Sequence, residues 1–363
     1  MTAASFPPLP GQPGARLPVA LIGAGAIGRM HAERLLRHPD VSLAAIADPG
    51  PAAQDFAAHL GLRCFSNYLH LLDELQPRAA IIATPNAQHI AMALACLERG
   101  IVPLVEKPVA DTVAEARRLV DASAATGIPV LVGHHRRHNP ILRTARELVD
   151  AGALGRPVAA TAMATWLKPD AYFEPAWRRA PGAGPVLINL IHDVDMLRHL
   201  LGEVVQVQAM ASNAQRGFAV EDTAAATLRF ANGALGTLMV SDAAVSPWNW
   251  DLGAGEAAHY AQQAVDSHYI AGSEGALTLP RLELWRYRGA RGWHEPLTQE
   301  RSAPHAADPY MEQLRHLRAV VERREAPRCS ALDGLRTLEV TRAVLDSAAS
   351  GQLVNLPAAQ PAA

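Results

Sequence analysis

Apolar and polar positions follow one rhythm before Pro140 and another after it. From Pro18 onward, short apolar runs at 18–23, 42–48, 79–83, 102–106 and 129–133 alternate with stretches of helical period at 26–37, 50–60, 68–75, 87–99 and 112–126. The runs are rich in β-branched residues and leucine with few polar interruptions, as parallel strands covered on both faces require. Asp111-Thr112 ahead of Glu115 offers a helix N-cap with an early acidic residue. Gly100 and Gly127 stand where helix C-caps are expected. This alternation predicts an α/β unit with a doubly wound parallel sheet of the Rossmann type.

After a helix at 141–151 the pattern turns strand-like, with runs at 156–166, 204–212, 222–231, 234–243, 268–272, 276–280 and 282–288. A helical stretch, 188–201, interrupts them, and 308–324 and 331–350 return to helix. Asn232-Gly233 between two alternating runs is a hairpin signal. The second half is therefore expected to be an α+β domain with a large, mainly antiparallel open sheet. The expected divisions are a loose Pro-rich tail at 1–17, a nucleotide-binding domain at 18–136 and a substrate-binding and oligomerisation domain at 137–363. An apolar sheet face left open is a liability, so a homodimer or homotetramer is expected.

Composition narrows the function classes. With 49% hydrophobic and 19% charged residues over 363 positions, the chain reads as an ordinary globular protein with more than one core. A formal net charge of −2 gives no electrostatic reason to expect nucleic acid. No apolar run is long enough to cross a bilayer, and the start lacks the basic-then-apolar order of an export signal. Cys64, Cys96 and Cys329 are far apart and form no C-x-x-C pair, so a reducing, cytoplasmic location is expected.

The candidate chemistry begins at the first strand, where Val19-Ala20-Leu21-Ile22 runs into Gly23-Ala24-Gly25-Ala26-Ile27-Gly28. Gly23 suits the tight turn, Gly25 lets backbone approach a pyrophosphate, and Gly28 lets the helix approach the sheet. Ala26 and Ile27 open that helix, whose free N–H groups favour phosphate. Asp48, 20 positions after Gly28, suits the ribose hydroxyls and would repel a 2′-phosphate. NAD is expected rather than NADP. Thr84, Asn86 and His89, after the strand at 79–83, are candidate cofactor contacts, with helix capping as the competing reading. Glu106-Lys107-Pro108 ends another apolar strand. A lysine there needs a partner or a use, and its ammonium suits holding and polarising a substrate oxygen. The competing reading is a surface lysine.

The order of these motifs resembles the Gfo/Idh/MocA oxidoreductase family. The matching residues are Gly23-Ala24-Gly25-Ala26-Ile27-Gly28, Ala83-Thr84-Pro85-Asn86, Glu106-Lys107-Pro108 and Gly182-Ala183-Gly184 with His192-Asp193-Val194-Asp195. The resemblance implies a Rossmann domain followed by an open-sheet domain, and hydride transfer between NAD(P) and a hydroxyl-bearing carbon of a sugar, polyol or related ring compound. It makes Lys107 and His192 the catalytic pair, with Glu106 and Lys107 also beside the cofactor. Asp195, three residues after His192, is expected to orient it, and Asp195 and Asn189 are candidate substrate contacts. The chain departs from the resemblance at Ile188, where many relatives carry an aspartate, and Asn189 stands beside it.

Gly133-His134-His135-Arg136-Arg137-His138-Asn139-Pro140 follows the last strand of the first half. Its histidines lack the acidic partners and ordered spacing of a metal site, so no metal is expected. It reads as a crossover strand whose alternate residues face the crevice, so that Arg136 and His138 bind substrate oxygens. An interdomain ion pair is the competing reading. Trp248, in Ser246-Pro247-Trp248-Asn249-Trp250, can stack on a ring or pack in a core. The expected function is an NAD-dependent dehydrogenase of a sugar, polyol or carboxylated cyclic diol. An NAD-retaining glycoside hydrolase and a non-catalytic dinucleotide sensor are the alternatives.

Overall fold

A computed structural model describes residues 16–357; most of the Pro-rich tail lies outside the described residues. The first half runs β1 (Leu17–Ile22), α1 (Ala26–Arg37), β2 (Val41–Ala47), α2 (Pro51–His59), β3 (Cys64–Phe65), α3 (Tyr68–Leu75), β4 (Ala79–Ile82), α4 (Asn86–Glu98), β5 (Val102–Val105), α5 (Val113–Thr126) and β6 (Leu131–Val132). Its six strands pair in parallel in the order β3-β2-β1-β4-β5-β6. The strand order reverses between β1 and β4, which opens a crevice at their C-terminal ends. Thr112 caps α5 by accepting from the Glu115 N–H, and Gly127 ends it at φ +66.

The second half continues α6 (Pro140–Asp150), β7 (Pro157–Thr165), α7 (Ile191–Leu201), β8 (Val204–Ser212), β9 (Thr223–Phe230), β10 (Leu235–Ser241), α8 (Trp250–Gly253), β11 (His268–Gly272), β12 (Ala276–Leu279), β13 (Glu283–Arg286), β14 (Thr298–Arg301), α9 (Pro309–Val321), α10 (Ala331–Ser350) and β15 (Val354–Asn355). The sheet order is β14-β13-β12-β11-β7-β10-β9-β8-β15. Only β7 and β10 pair in parallel, so the sheet is mostly antiparallel around one parallel seam. Along β9 and β10 buried and exposed residues alternate, and one face packs on helices. The other face leaves Met210 and Leu235 79% and 53% exposed.

The last helices tie the halves together. Leu314, Leu317, Leu335 and Leu338 join the core of the first sheet, while Val340, Ala343 and Val344 join that of the second. A capping box between Ser330 and Asp333 starts α10. Residues 135–138 depart from the expected crossover strand. They form a 3₁₀ turn, because the chain folds back once β6 ends, with the Arg137 N–H donating to His134 O and the Asn139 N–H to Arg136 O. Among the described residues no helix is long and apolar enough to cross a membrane.

Candidate active site

At the nucleotide end, Gly23 has φ +93, and a Cβ there would sit 2.5 Å from Ala83 O. A Cβ at Gly28 would overlap the Gly23 carbonyl. Nothing lies within 4 Å of the Cβ position of Gly25, which is the N-cap of α1 and makes no side-chain cap. The first-turn N–H groups beside the exposed Ala26 and Ile27 therefore face open space. This cradle fits a pyrophosphate. Asp48 Oδ2 accepts from the Ala24 N–H and Oδ1 from the Gly50 N–H, both at 2.8 Å. These bonds fix the carboxylate beside a cavity of about 260 Å³ that Ser66, Thr84 and Gln88 also line. Each oxygen keeps a lone pair for a ribose hydroxyl.

Asn86 opens α4 and is half-buried. His89 differs from its expected cofactor contact. Its ring is buried, with Nε2 2.9 Å from Thr84 O and Nδ1 3.0 Å from Pro108 O. It links the turn after β4 to the turn after β5. Burial holds it below the ordinary histidine pKa, against the two carbonyls.

Glu106 is turned back under α1, 2.8 Å from His31 Nε2. Burial pushes its carboxyl up, but His31, His135 and Lys107 outweigh that and hold it below its usual range. Lys107, joined to Pro108 by a cis peptide, points across the crevice and donates to the Ile188 carbonyl at 3.1 Å. Burial lowers its pKa, opposed by Glu106 and reinforced by Arg136. Ile188 lies in a π-helical turn, Val186–Leu190, that runs directly into α7.

His192 follows one turn later, on the same helical face as Ile188. Its Nδ1 is sealed with no hydrogen-bond partner among the described residues. Burial, with the charges of Lys107 and Arg136, holds its pKa well below 6.5. The ring therefore stays neutral near pH 7, as a proton acceptor requires. His135 lies edge-on to it with centroids 5.3 Å apart. His135 also stacks on Tyr310 at 4.3 Å and pairs with Glu256 at 2.6 Å.

Three expected substrate contacts are held elsewhere. Arg136 pairs with Asp193 and Asp251 at 3.2 and 3.1 Å. His138 is buried against His316. Asp195 does not orient His192: it accepts both prongs of Arg137 at 2.8 Å and the Thr337 hydroxyl at 2.9 Å. Arg136 and Arg137 account for two of the three. Guanidinium groups buried at a junction need carboxylates, and the 3₁₀ turn aims them at Asp193 and Asp195 of α7, Asp251 of α8 and Asp333 of α10. Trp248 is half-exposed, and its carbonyl accepts from the Thr165 N–H and hydroxyl at 3.0 and 3.2 Å.

Sequence reasoning passed over Lys168. Its Nζ donates to Asn189 Oδ1 at 2.7 Å, lies 3.5 Å from Asp242 and sits over the Tyr172 ring at 4.6 Å. Burial brings its pKa down to about 8 against the pull of Asp242. The signal was present: Lys168-Pro169 follows a strand as Lys107-Pro108 does. The lysines bind neighbours in sequence, Ile188 and Asn189, so both flank the start of α7.

Residues 17–134 match the oxidoreductase family with NAD-binding Rossmann fold, Gfo/Idh/MocA, and residues 142–278 match the Gfo/Idh/MocA C-terminal domain. The chain belongs to the Gfo/Idh/MocA oxidoreductase family. An inositol 2-dehydrogenase of Rubrobacter xylanophilus is 30% identical, over 66% of this chain and 68% of that protein. The scyllo-inositol 2-dehydrogenase (NAD(+)) of Bacillus subtilis is 27% identical, over 93% and 95%. In fold, the chain resembles the WlbA dehydrogenase of Bordetella pertussis, solved with NADH and UDP-GlcNAcA, with a TM-score of 0.77, 24% identity and coverage of 95% and 100%.

The open space over Gly25 yields a test. A Cβ at Gly25 has no protein atom within 4 Å, so in Gly25→Ala the thermal unfolding midpoint should stay near wild type while NAD affinity, measured by calorimetry, falls about tenfold or more, roughly 1.4 kcal/mol. Unchanged affinity would remove the phosphate from this turn.

Proposed function

We propose that the protein is an NAD-dependent dehydrogenase of a secondary alcohol on a sugar or polyol ring, working in the cytoplasm. The observation that carries this is the bond from Lys107 to Ile188 in the π-helical turn, one helical turn before His192. Free Cys64, Cys96 and Cys329 agree with a reducing compartment.

Bound NAD supplies the acceptor for the electron pair that leaves with the carbinol hydrogen. Lys107 holds the reacting oxygen and stabilises negative charge as the O–H bond weakens. His192 Nε2 takes the hydroxyl proton. The balance is secondary alcohol plus NAD⁺ giving ketone, NADH and one proton, and the reverse reaction uses the same groups. Glu106 and His89 act as positioning residues around Lys107.

Lys107→Ala should lower kcat/KM on an active polyol by about 10³-fold or more, while NAD binding persists. Retained turnover would sink the assignment. In the wild type, a neutral His192 is needed for oxidation, so the acidic limb of the kcat/KM profile should fall below 6.5. A protonated Lys107 is lost as pH rises through its lowered pKa, so the basic limb should fall below 10.5. An acidic limb above 6.5 would contradict His192 as the base.

We also propose that a second copy covers the open sheet face, in a homodimer or homotetramer. Exposed Met210, Leu235, Met239 and Tyr269 on that face support it, as does a hollow of about 740 Å³ across its middle strands. Met210→Glu with Met239→Glu should yield monomers in analytical ultracentrifugation. A wild type that sediments as a monomer would contradict the pairing.

A further inference from the structure

We infer that the substrate carries an apolar aryl or alkyl group on its sugar or polyol ring, and that this group occupies a second hollow beside the reacting site. The inference rests on the dehydrogenase reading and extends it. The hollow measures about 500 Å³ and lies between the end of β7, the 245–247 loop and α8. Its walls include Trp166 and Tyr260, whose ring centroids are 5.4 Å apart, together with Tyr172, Pro247 and Leu252.

Lys168 joins this hollow to the reacting site. It lines the hollow and also holds Asn189, next to the residue that holds Lys107. Of its three N–H groups, Asn189 and Asp242 engage two. The third has no hydrogen-bond partner among the described residues, with the Tyr172 ring 4.6 Å from Nζ, and on this inference it donates to an oxygen linking the ring to its substituent.

Beyond Lys168, Gln263 and the hydroxyls of Tyr172 and Tyr260, the walls offer a bare polyol no polar side chain that is not already engaged. Hydroxyls pressed on aromatic and aliphatic walls lose water without gaining partners. The Ser246 hydroxyl is engaged by Thr165 at 2.7 Å and by the Trp248 N–H at 3.1 Å. At the mouth Leu167 is 56% and Val245 90% exposed. Apolar side chains gathered in the open around a concavity mark a binding surface, and Lys168, which lines the hollow and holds Asn189 beside the residue that holds Lys107, assigns it to the substrate.

The test compares kcat/KM, followed as NADH, for glucose against phenyl β-glucoside and for myo-inositol against its mono-O-benzyl ether. At least one conjugate should exceed its parent by about tenfold or more, the effect of burying a modest apolar group. Trp166→Ala should cut kcat/KM for that conjugate about tenfold further than for its parent. Should Trp166→Ala fail to fold, Val245→Asp at the exposed rim should shrink the preference in the same direction. NADH from the parents with no preference for either conjugate overturns the inference and leaves the dehydrogenase reading standing. No NADH from any of the four overturns both.

Discussion

The Lys107 ammonium is held by a backbone carbonyl, that of Ile188, and much of the site depends on that contact. A carboxylate would have pinned the amine with a full opposite charge. A carbonyl fixes its position with only a dipole, so the amine stays short of compensation in a buried setting and its pKa falls. In the proposed reaction, such a group stabilises charge that arises on a substrate oxygen. The neighbouring carboxylate, Glu106, is committed to His31 and acts on Lys107 through its field and through the Lys107 N–H that it accepts.

The same contact ties the two sheets to one chemistry. Lys107 leaves the parallel sheet at the end of β5, and Ile188 belongs to the turn that launches α7 from the other half. That turn is kept in place by buried ions. Arg136 reaches Asp193 and Asp251, and Arg137 reaches Asp195 and Asp333. Removing one partner of such a pair strands a charge, at about 3–5 kcal/mol. Because these arginines consume the acidic residues of α7, His192 is left with no carboxylate of its own. Lys107 and Arg136 then add to burial in keeping its ring neutral.

The fold was legible because it rests on local periodicity and glycine geometry. The glycine turn, the alternating strands and the Asn232-Gly233 hairpin all report on their own neighbourhood. What escaped depends on contacts remote in sequence. The strands β3 and β15, two residues each, carry too little pattern to be seen. The 3₁₀ turn at 135–138 replaced a strand because its arginines find carboxylates more than 50 positions away. Asp195 has the right spacing to serve His192, yet its side chain is claimed by Arg137 and Thr337, which spacing cannot reveal. Lys168 was passed over since its partner Asn189 is 21 positions on, although its place before a proline at a strand end repeats that of Lys107.

A crystal structure of the protein with NAD and an unreactive ketone or deoxy analogue of an active polyol tests the central claim most directly. The account predicts Lys107 Nζ and His192 Nε2 both within hydrogen-bonding distance of one substrate oxygen, with that carbon facing nicotinamide C4. A complex in which the two groups bind different oxygens, or in which His192 lies out of reach of the ring, would contradict it.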